Sequence, residues 1–242
     1  MLHELRRCLP DGVKRRLANT TWLGPLLYRV DSFTPEGEDL ILATLLTENQ
    51  RGNLSEISGF YVDIGAHHPM RHSTTFKFYR AGWRGINIDP NPGSMQLFRR
   101  LRPNDINLEL AVGPESGALT YYRFDEPALN TCVADRVAFL AKQGYAPRER
   151  IAVQAFPLRA IFTEYLPPGQ AVTFASVDVE GHELAVLTSN DWSRFRPTYL
   201  VVEQLRDYPG ARDVRHFLRQ QGYAPLARTF RSMIYGQNGS AM

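Results

Sequence analysis

Residues 60–68 read FYVDIGAHH, an apolar run that ends in an acid and passes directly into a glycine turn. The first strand and loop of a nucleoside-binding α/β sheet begin in this way. After a helix-like interval, residues 85–89 repeat the pattern as GINID, so that Asp89 follows Asp63 by 26 residues. A ribose-binding acid lies at about that distance in such folds. The two segments therefore predict a doubly wound sheet with a nucleoside at its edge.

The glycines of the first turn distinguish between nucleosides. A dinucleotide-binding fold needs G-x-G-x-x-G so that the backbone can close on a pyrophosphate. Here Gly65 is followed by His67 and Met70 at the two later glycine positions. This pattern argues against NAD and favours S-adenosylmethionine, which has no phosphate to bind.

The composition is typical of one large globular domain. The chain has 242 residues, 43% of them hydrophobic, which is enough for a full core. No apolar run approaches the ~20 residues of a membrane span, and the arginine-rich N-terminus lacks the apolar stretch of a secretory signal, so we expect a cytoplasmic protein. The two cysteines, Cys8 and Cys132, lie far apart, which predicts inert thiols and not a disulfide framework or a metal pair.

Positive charge is concentrated at the N-terminus. The net charge of +3 is too small to indicate nucleic-acid binding, but it is uneven, because residues 1–30 hold six basic and two acidic side chains. Apolar residues at 2, 5, 9, 13 and 17 have the spacing of an amphipathic helix that is interrupted near Pro10. We predict a basic helical extension over 1–34, either docked on the domain or in peripheral contact with a membrane surface or a partner protein. The sequence leaves formation of a homo-oligomer open.

The remainder, 35–242, alternates strands and helices. Strand-like segments are 60–64, 85–89, 106–112, 118–124, 153–156, 172–178, 199–203 and 231–235. Helix-like segments are 40–46, 73–81, 94–101, 133–142, one that ends near 165, 182–187 and 214–221. Residues 125–150 have no clear period and suit a segment that covers a substrate. This order predicts a Rossmann-like, doubly wound α/β fold with a mostly parallel sheet and ligands at the carboxyl edge of its strands.

Six short motifs in order give the chain a family resemblance. They are Glu36-x-Glu38-Asp39, Val62–Ala66, Gly82–Ile86, Asp89–Pro92, Ala111–Gly113, and Asp178–Glu183 with Glu203 one strand later. By these motifs, residues 35–236 resemble the FkbM-type methyltransferase family, which uses S-adenosylmethionine to methylate mainly hydroxyl groups, often on sugars or polyketide natural products. The resemblance implies a seven-stranded methyltransferase sheet and O-methylation of a sugar, glycan or natural-product hydroxyl. His68-Pro69 departs from the small or polar pair that many relatives have.

The first two strand ends supply the predicted cofactor site. Gly65 lets the turn approach the cofactor with no side chain between them, and Asp63 is suited to order that loop or hold the methionine ammonium through water. Asp89 is suited to accept both ribose hydroxyls. Further cofactor candidates, by position, are Ala66, His67, Pro90, Asn91, Ala111, Val112 and Asp178.

Residues 178–183 supply the predicted catalytic groups. Methyl transfer is an in-line displacement, so an enzyme has to align the acceptor oxygen, exclude water and remove a proton from a weakly acidic hydroxyl. We predict His182 as the base, because its pKa suits proton transfer near neutral pH, with Glu180 next and Asp178 orienting groups near the methyl donor. Candidate substrate contacts are His68, Arg71 and Glu203.

Several alternatives stay open. Asp178, Glu180 and Glu203 are also the residue types of an oxygen-rich Mg²⁺ site, which would lower the pKa of the hydroxyl directly. An NAD-linked sugar oxidoreductase shares the sheet but should have the phosphate glycines that are missing here, and a non-catalytic nucleoside-binding or interaction module would not need so many acids at strand ends. The charge and the lack of an Asn/Asp-Pro-Pro-aromatic motif argue against a nucleic-acid substrate.

Overall fold

The chain divides into two compact units, 1–32 and 33–242. The computed structural model describes residues 10, 12–13, 30–48, 53–205 and 211–239. The predicted N-terminal helix lies almost entirely outside the described residues. All of the architecture below belongs to the second unit.

A seven-stranded sheet forms the centre of the second unit. The described strands are β1 Phe60–Ile64, β2 Arg84–Ile88, β3 Ile106–Leu108, β4 Ala111–Val112, β5 Gly117–Arg123, β6 Glu149–Phe156, β7 Phe174–Val177, β8 Tyr199–Glu203, β9 Tyr223–Arg228 and β10 Ser232–Gln237. Seven of them pair in the order β3-β2-β1-β7-β8-β10-β9, and every pairing is parallel except those of β10. The strand order reverses between β1 and β7, which makes this the switch point of the sheet. The predicted doubly wound, mostly parallel, seven-stranded sheet is confirmed.

Helices cover both faces of this sheet. The described helices of the second unit are α1 Glu38–Glu48, α2 Phe76–Arg80, α3 Ser94–Leu101, α4 Ala134–Ala141, α5 Leu158–Tyr165, α6 Glu183–Thr188 and α7 Ala211–Gln220. Successive side chains of β1 point to opposite faces, so Val62 packs in a core with α5, α6 and α7, whereas Tyr61 packs in a second core with α1 and α2. Every residue of β1, β7 and β8 is buried as a result. In the described part of the chain, no helix has the length and apolarity needed to cross a membrane.

The prediction of one strand over 106–112 is wrong. Ile106–Leu108 pairs with β2 in the main sheet, but Ala111–Val112 pairs with β6 in a separate sheet of order β4-β6-β5. In this small sheet β5 and β6 form a long antiparallel ladder, and β6 begins at Glu149. Its first four residues are largely exposed, which explains why the apolar pattern located only 153–156.

The other differences concern element ends and one missed strand. β9 was not predicted, because it contains Pro225 and most of its residues are at least partly exposed. Proline is tolerated there because β9 is an edge strand. The helix predicted over 73–81 forms only over Phe76–Arg80, and the last helix begins at Ala211, three residues before its predicted start.

Candidate active site

A cleft lies at the carboxyl ends of the central strands, and its empty space, including the part that is open solvent, is about 1210 Å³. The ends of four neighbouring strands contribute to its wall, with Gly65 after β1, Asp89 after β2, Asp178 after β7 and Glu203 at the end of β8. Doubly wound sheets bind their ligands at this edge, beside the switch point. The cleft is therefore the candidate active site.

Gly65 fixes the first turn of the cleft. Its φ is +84°, and a Cβ built there would lie 1.6 Å from the backbone oxygen of Asp178. The backbone N–H groups of Gly65 and Ala66 both donate to the carbonyl of Ile88, at 2.9 and 3.0 Å. The turn thus joins the ends of β1, β2 and β7 so closely that only glycine fits.

Asp89 is a buried carboxylate held by the backbone. The N–H of His67 donates to its Oδ2 and the N–H of Asn91 to its Oδ1, both at 2.9 Å. Burial raises the pKa of Asp89 above its ordinary value, although these hydrogen bonds act in the opposite direction. Each carboxylate oxygen can accept a second hydrogen bond. Beside it, the side-chain Oδ1 of Asn91 is buried and has no hydrogen-bond partner among the described residues.

Apolar and aromatic residues line the cleft, and two of them, Ile88 and Pro90, flank Asp89 in the chain. These lining residues include Ile88, Pro90, Leu110, Ala111, Val112, Tyr121, Pro127 and Ala128. Ala111 and Val112 reach the cleft because β4 leaves the main sheet. An apolar wall next to a fixed acid can hold a nucleoside, with the base on the wall and the sugar hydroxyls on the acid. We call this part of the cleft the nucleoside end.

Three carboxylates meet at the other end. Asp178, Glu180 and Glu203 each place an oxygen within 4.8 Å of the other two. Burial, reinforced by the neighbouring acids, raises the pKa of Asp178 and of Glu203 well above their ordinary values. The Asp178 side chain is nevertheless open to the solvent of the cleft. We call this part the carboxylate end.

An arginine holds Glu180 in place. Arg136 of α4 donates from Nε, at 3.2 Å, and from a terminal nitrogen to the same oxygen of Glu180, and both side chains are largely buried. Burial still raises the pKa of Glu180, even though Arg136 lowers it. The Thr131 hydroxyl also donates to the Glu180 carbonyl, at 2.8 Å. The segment 125–150, which was expected to cover a substrate, therefore supports the carboxylate end.

The turn after β7 is strained and braced. Glu180 has a φ of +52°, a conformation that is uncommon for a residue with a side chain. The Glu183 carboxylate bridges the turn by accepting from the N–H groups of Val179 and Gly181, at 3.2 and 3.0 Å. Burial raises the pKa of Glu183 to about 7. Glu183 thus fixes the backbone from which Glu180 projects.

His182 is the residue before α6 and lines the cleft. Its Nε2 is buried and has no hydrogen-bond partner among the described residues. Burial lowers the pKa of His182 below its ordinary value. The imidazole is therefore neutral near pH 7 and able to accept a proton.

The cleft brings together most of the predicted site residues. They are Gly65, His67, Asp89, Pro90, Asn91, Ala111, Val112, Asp178, Glu180, His182 and Glu203. Four others, Asp63, Ala66, His68 and Arg71, are not among the lining residues.

Asp63 lies in β1, and the other three residues lie in the loop that follows it. Asp63 accepts a hydrogen bond from the Thr75 hydroxyl at 2.6 Å, and buried Arg102 donates to the same hydroxyl at 2.8 Å. Ala66 is buried in a small apolar cluster. His68 accepts from the backbone N–H groups of Met70 and Arg71 through Nδ1, at 3.1 and 2.9 Å. Asp63 is thus bound to Thr75, the residue before α2, and its role in ordering the loop stays a prediction.

The sequence did not point to several lining residues. Glu36, Glu38 and Arg231 belong to segments that are distant in sequence, and Tyr121, Asn130, Thr131 and Cys132 come from the region of the small sheet. Burial raises the pKa of Cys132 to about 12, so its thiol stays protonated. For Glu36 and Glu38 a signal existed in the Glu-x-Glu-Asp motif; for the others only the folded chain shows their position.

The chain was compared with known proteins. It matches the family model for the methyltransferase FkbM domain over residues 63–225, about two thirds of its length. Among solved structures it is similar to a protein described as an O-methyltransferase from Klebsiella pneumoniae, with a TM-score of 0.44 and 12% sequence identity over 98% of this chain and 95% of that one. No curated protein matches it. Because the family model covers more than half of the chain, this protein belongs to the FkbM methyltransferase family.

Proposed function

We propose that the protein is an S-adenosylmethionine-dependent O-methyltransferase that acts on a hydroxyl group of a sugar, glycan or natural product. One observation carries the proposal: a single cleft joins a nucleoside end, built around Asp89, to a carboxylate end, built around Asp178, Glu180 and Glu203. A methyl donor and an acceptor could therefore meet in one space. Membership of the FkbM family supports methyl transfer as the reaction.

The residues of the nucleoside end fit S-adenosylmethionine. The free lone pairs of Asp89 suit the two ribose hydroxyls, and the buried, unpartnered Oδ1 of Asn91 needs a donor such as an amino group of the ligand. When bound, S-adenosylmethionine supplies an electrophilic methyl group. His67 and Met70 stand at the later glycine positions of a dinucleotide fold, and this argues against NAD as the cofactor.

His182 is the proposed general base. Its Nε2 lacks a partner and its lowered pKa keeps the ring neutral, so it can accept the hydroxyl proton as the acceptor oxygen attacks. Asp178 is the second candidate, because its raised pKa makes its carboxylate a stronger base than an ordinary aspartate. Glu180 is already paired with Arg136, so we assign it a positioning role, and Glu203 an acceptor contact.

A Mg²⁺-assisted reaction is the second candidate. The separation of 4.8 Å or less among Asp178, Glu180 and Glu203 favours it, because oxygen-rich carboxylate clusters hold Mg²⁺. Arg136 already neutralises one of these three carboxylates, which is why we propose the metal-free route. Equal initial rates in EDTA and in excess Mg²⁺ are expected, whereas a loss in EDTA that Mg²⁺ alone restores would favour the alternative.

Methyl-transfer assays test the proposal. The full chain would be incubated with methyl-labelled S-adenosylmethionine and a panel of sugars, glycosides and polyketide alcohols, and label in a new methyl ether would be measured. His182→Gln should lower kcat by about 10²- to 10⁴-fold without weakening S-adenosylhomocysteine binding. If His182→Gln keeps full activity and Asp178→Asn loses it, the base is Asp178. Label found only on nitrogen or carbon would refute O-methylation.

A further inference from the structure

We propose that Glu38 binds the acceptor, and that this acceptor carries hydroxyl or amino groups but no phosphate or carboxylate near the reacting hydroxyl. The inference rests on the proposed function and specifies its substrate class. Glu38 lines the cleft and stands at the start of α1.

Glu38 has one satisfied and one unsatisfied oxygen. The side chain is only 5% exposed. Its Oε1 accepts a hydrogen bond from the Thr229 hydroxyl at 2.9 Å, whereas its Oε2 is buried and has no partner among the described residues. A buried carboxylate oxygen without a donor is costly and rare. A ligand that enters the cleft with an O–H or N–H group would supply the missing donor.

The contacts of Glu38 place it at the carboxylate end. Thr229, its partner, lies in the turn between β9 and β10, and the Thr229 hydroxyl accepts from the Ser232 N–H at 3.0 Å. Ser232 in turn pairs with Glu203 across β10 and β8. Glu38 is therefore connected through two residues to a member of the three-carboxylate cluster. This connection places Glu38 on the acceptor side of the cleft.

The charges of the cleft indicate what this acceptor can be. Six acidic side chains line the cleft, namely Glu36, Glu38, Asp89, Asp178, Glu180 and Glu203. Arg231 is the one arginine or lysine among the described lining residues, and Glu36 already occupies it through contacts to its Nε at 3.1 Å and its backbone N–H at 2.9 Å.

The histidines of the cleft add no compensating charge. Burial lowers the pKa of His67, His72 and His182, so these rings are neutral near pH 7. A phosphate or carboxylate would therefore enter among acids without an unpaired cation to receive it. Burial already raises the pKa values of Asp178, Glu180 and Glu203, so a further negative charge would have to be held beside them away from water or would force them to take up protons, and either costs binding free energy. Hydroxyl and ammonium groups instead donate to these oxygens.

Ligand-observed saturation-transfer NMR tests the substrate class. The full chain, saturated with S-adenosylhomocysteine, would be mixed with matched probes on gluco, galacto and rhamno rings: the methyl glycoside and, for the first two rings, the 2-amino sugar, the 6-phosphate and the uronate. We expect saturation transfer to neutral or amino probes and at least about 10-fold weaker binding of their anionic counterparts. Equal or tighter binding of an anionic probe would overturn the class, and so would a lack of signal from every neutral and amino probe.

Two variants test the role of Glu38. Glu38→Met removes both oxygens and Glu38→Gln removes the charge; Glu164→Gln, an exposed change on α5 outside the cleft, is the control. We expect Glu38→Met to weaken binding of the best neutral probe by about 10- to 100-fold, and Glu38→Gln to weaken binding of the amino probe by a similar factor. The control variant should bind both probes as the wild type does.

Binding of S-adenosylhomocysteine separates the two proposals. Affinity for it should stay within about twofold of the wild type in all three variants, because Glu38 lies at the carboxylate end. If a Glu38 variant with an unchanged unfolding midpoint loses this affinity, Glu38 is a cofactor contact and the inference is wrong. Unchanged probe binding in both variants would also overturn it. Failure of the wild type to bind S-adenosylhomocysteine would count against the proposed function instead.

Discussion

Replacing Gly65 by alanine should disrupt the meeting point of β1, β2 and β7. At a φ of +84°, a residue with a Cβ destabilises the folded state by about 1–2 kcal/mol. The new Cβ would lie 1.6 Å from the Asp178 oxygen and 2.7 Å from its carbonyl carbon, and overpacking of this kind costs about 1–3 kcal/mol more. Alanine regains about 0.4–1 kcal/mol by restricting the unfolded chain. Since the clash is with backbone, we expect a net loss of about 3–4 kcal/mol.

Gly169→Ala is the matched control for this experiment. Gly169 also has a positive φ, +73°, but a Cβ there meets no atom within 4 Å. The Gly169→Ala substitution should therefore lower the free energy of unfolding by only about 1 kcal/mol, which is the conformational cost alone. Urea unfolding gives both free energies, and thermal unfolding should show a loss of about 10 °C for Gly65→Ala against about 3 °C for Gly169→Ala. If the two variants differ by less than about 1 kcal/mol, the close approach of β1 to β7 is not as described.

Two further predictions concern buried charges. Arg136→Met should destabilise the protein by about 3 kcal/mol in urea unfolding, because it leaves Glu180 buried without its partner. Arg159→Met, which breaks an exposed pair with Glu115, should lower the free energy of unfolding by less than about 1 kcal/mol. Equal losses in the two variants would contradict the difference in burial between the two ion pairs. Glu183 has a pKa raised from 4.5 to about 7, so the native state binds the extra proton, and the stability from this group is complete below about pH 4.5 and lost as the pH rises through about 7. Glu183→Gln keeps an acceptor oxygen for the turn but does not titrate. The free energy of unfolding of this variant, relative to that of the wild type, should therefore rise by about 3 kcal/mol between about pH 4.5 and about pH 7. A difference that stays constant with pH would contradict the raised pKa of Glu183.

The buried centre of the fold could be predicted because its strands are continuous apolar runs. β1 and β8 form over the predicted residues, since both faces of each strand are covered and every side chain is buried. β9 and the first half of β6 could not be predicted, because their residues are largely exposed and alternate weakly. The sequence also did not show that β4, β5 and β6 form a sheet of their own. Nor does the sequence show that Glu109 and Leu110 separate two sheets, since apolar residues continue on both sides of them.

The site was partly predictable for a related reason. Acids at strand ends must meet at one edge of a parallel sheet, so Asp89, Asp178 and Glu203 could be expected there. The direction of a single side chain could not be predicted. Asp63 accepts a hydrogen bond from Thr75, which also accepts one from Arg102, and Asp63 is not among the residues that line the cleft. Contacts between distant segments, such as Thr229 with Glu38, depend on tertiary structure alone.

Calorimetric titration of the full chain with S-adenosylmethionine and S-adenosylhomocysteine tests the proposed cofactor site most directly. The wild type should bind in the micromolar range. Asp89→Ala should lose about 100-fold or more in affinity, because two hydrogen bonds to a charged group disappear. Asp213→Ala, an exposed change on α7 outside the cleft, should bind as the wild type does. Absence of binding by the wild type, or equal affinity of the Asp89→Ala variant, would contradict a cofactor held at the nucleoside end.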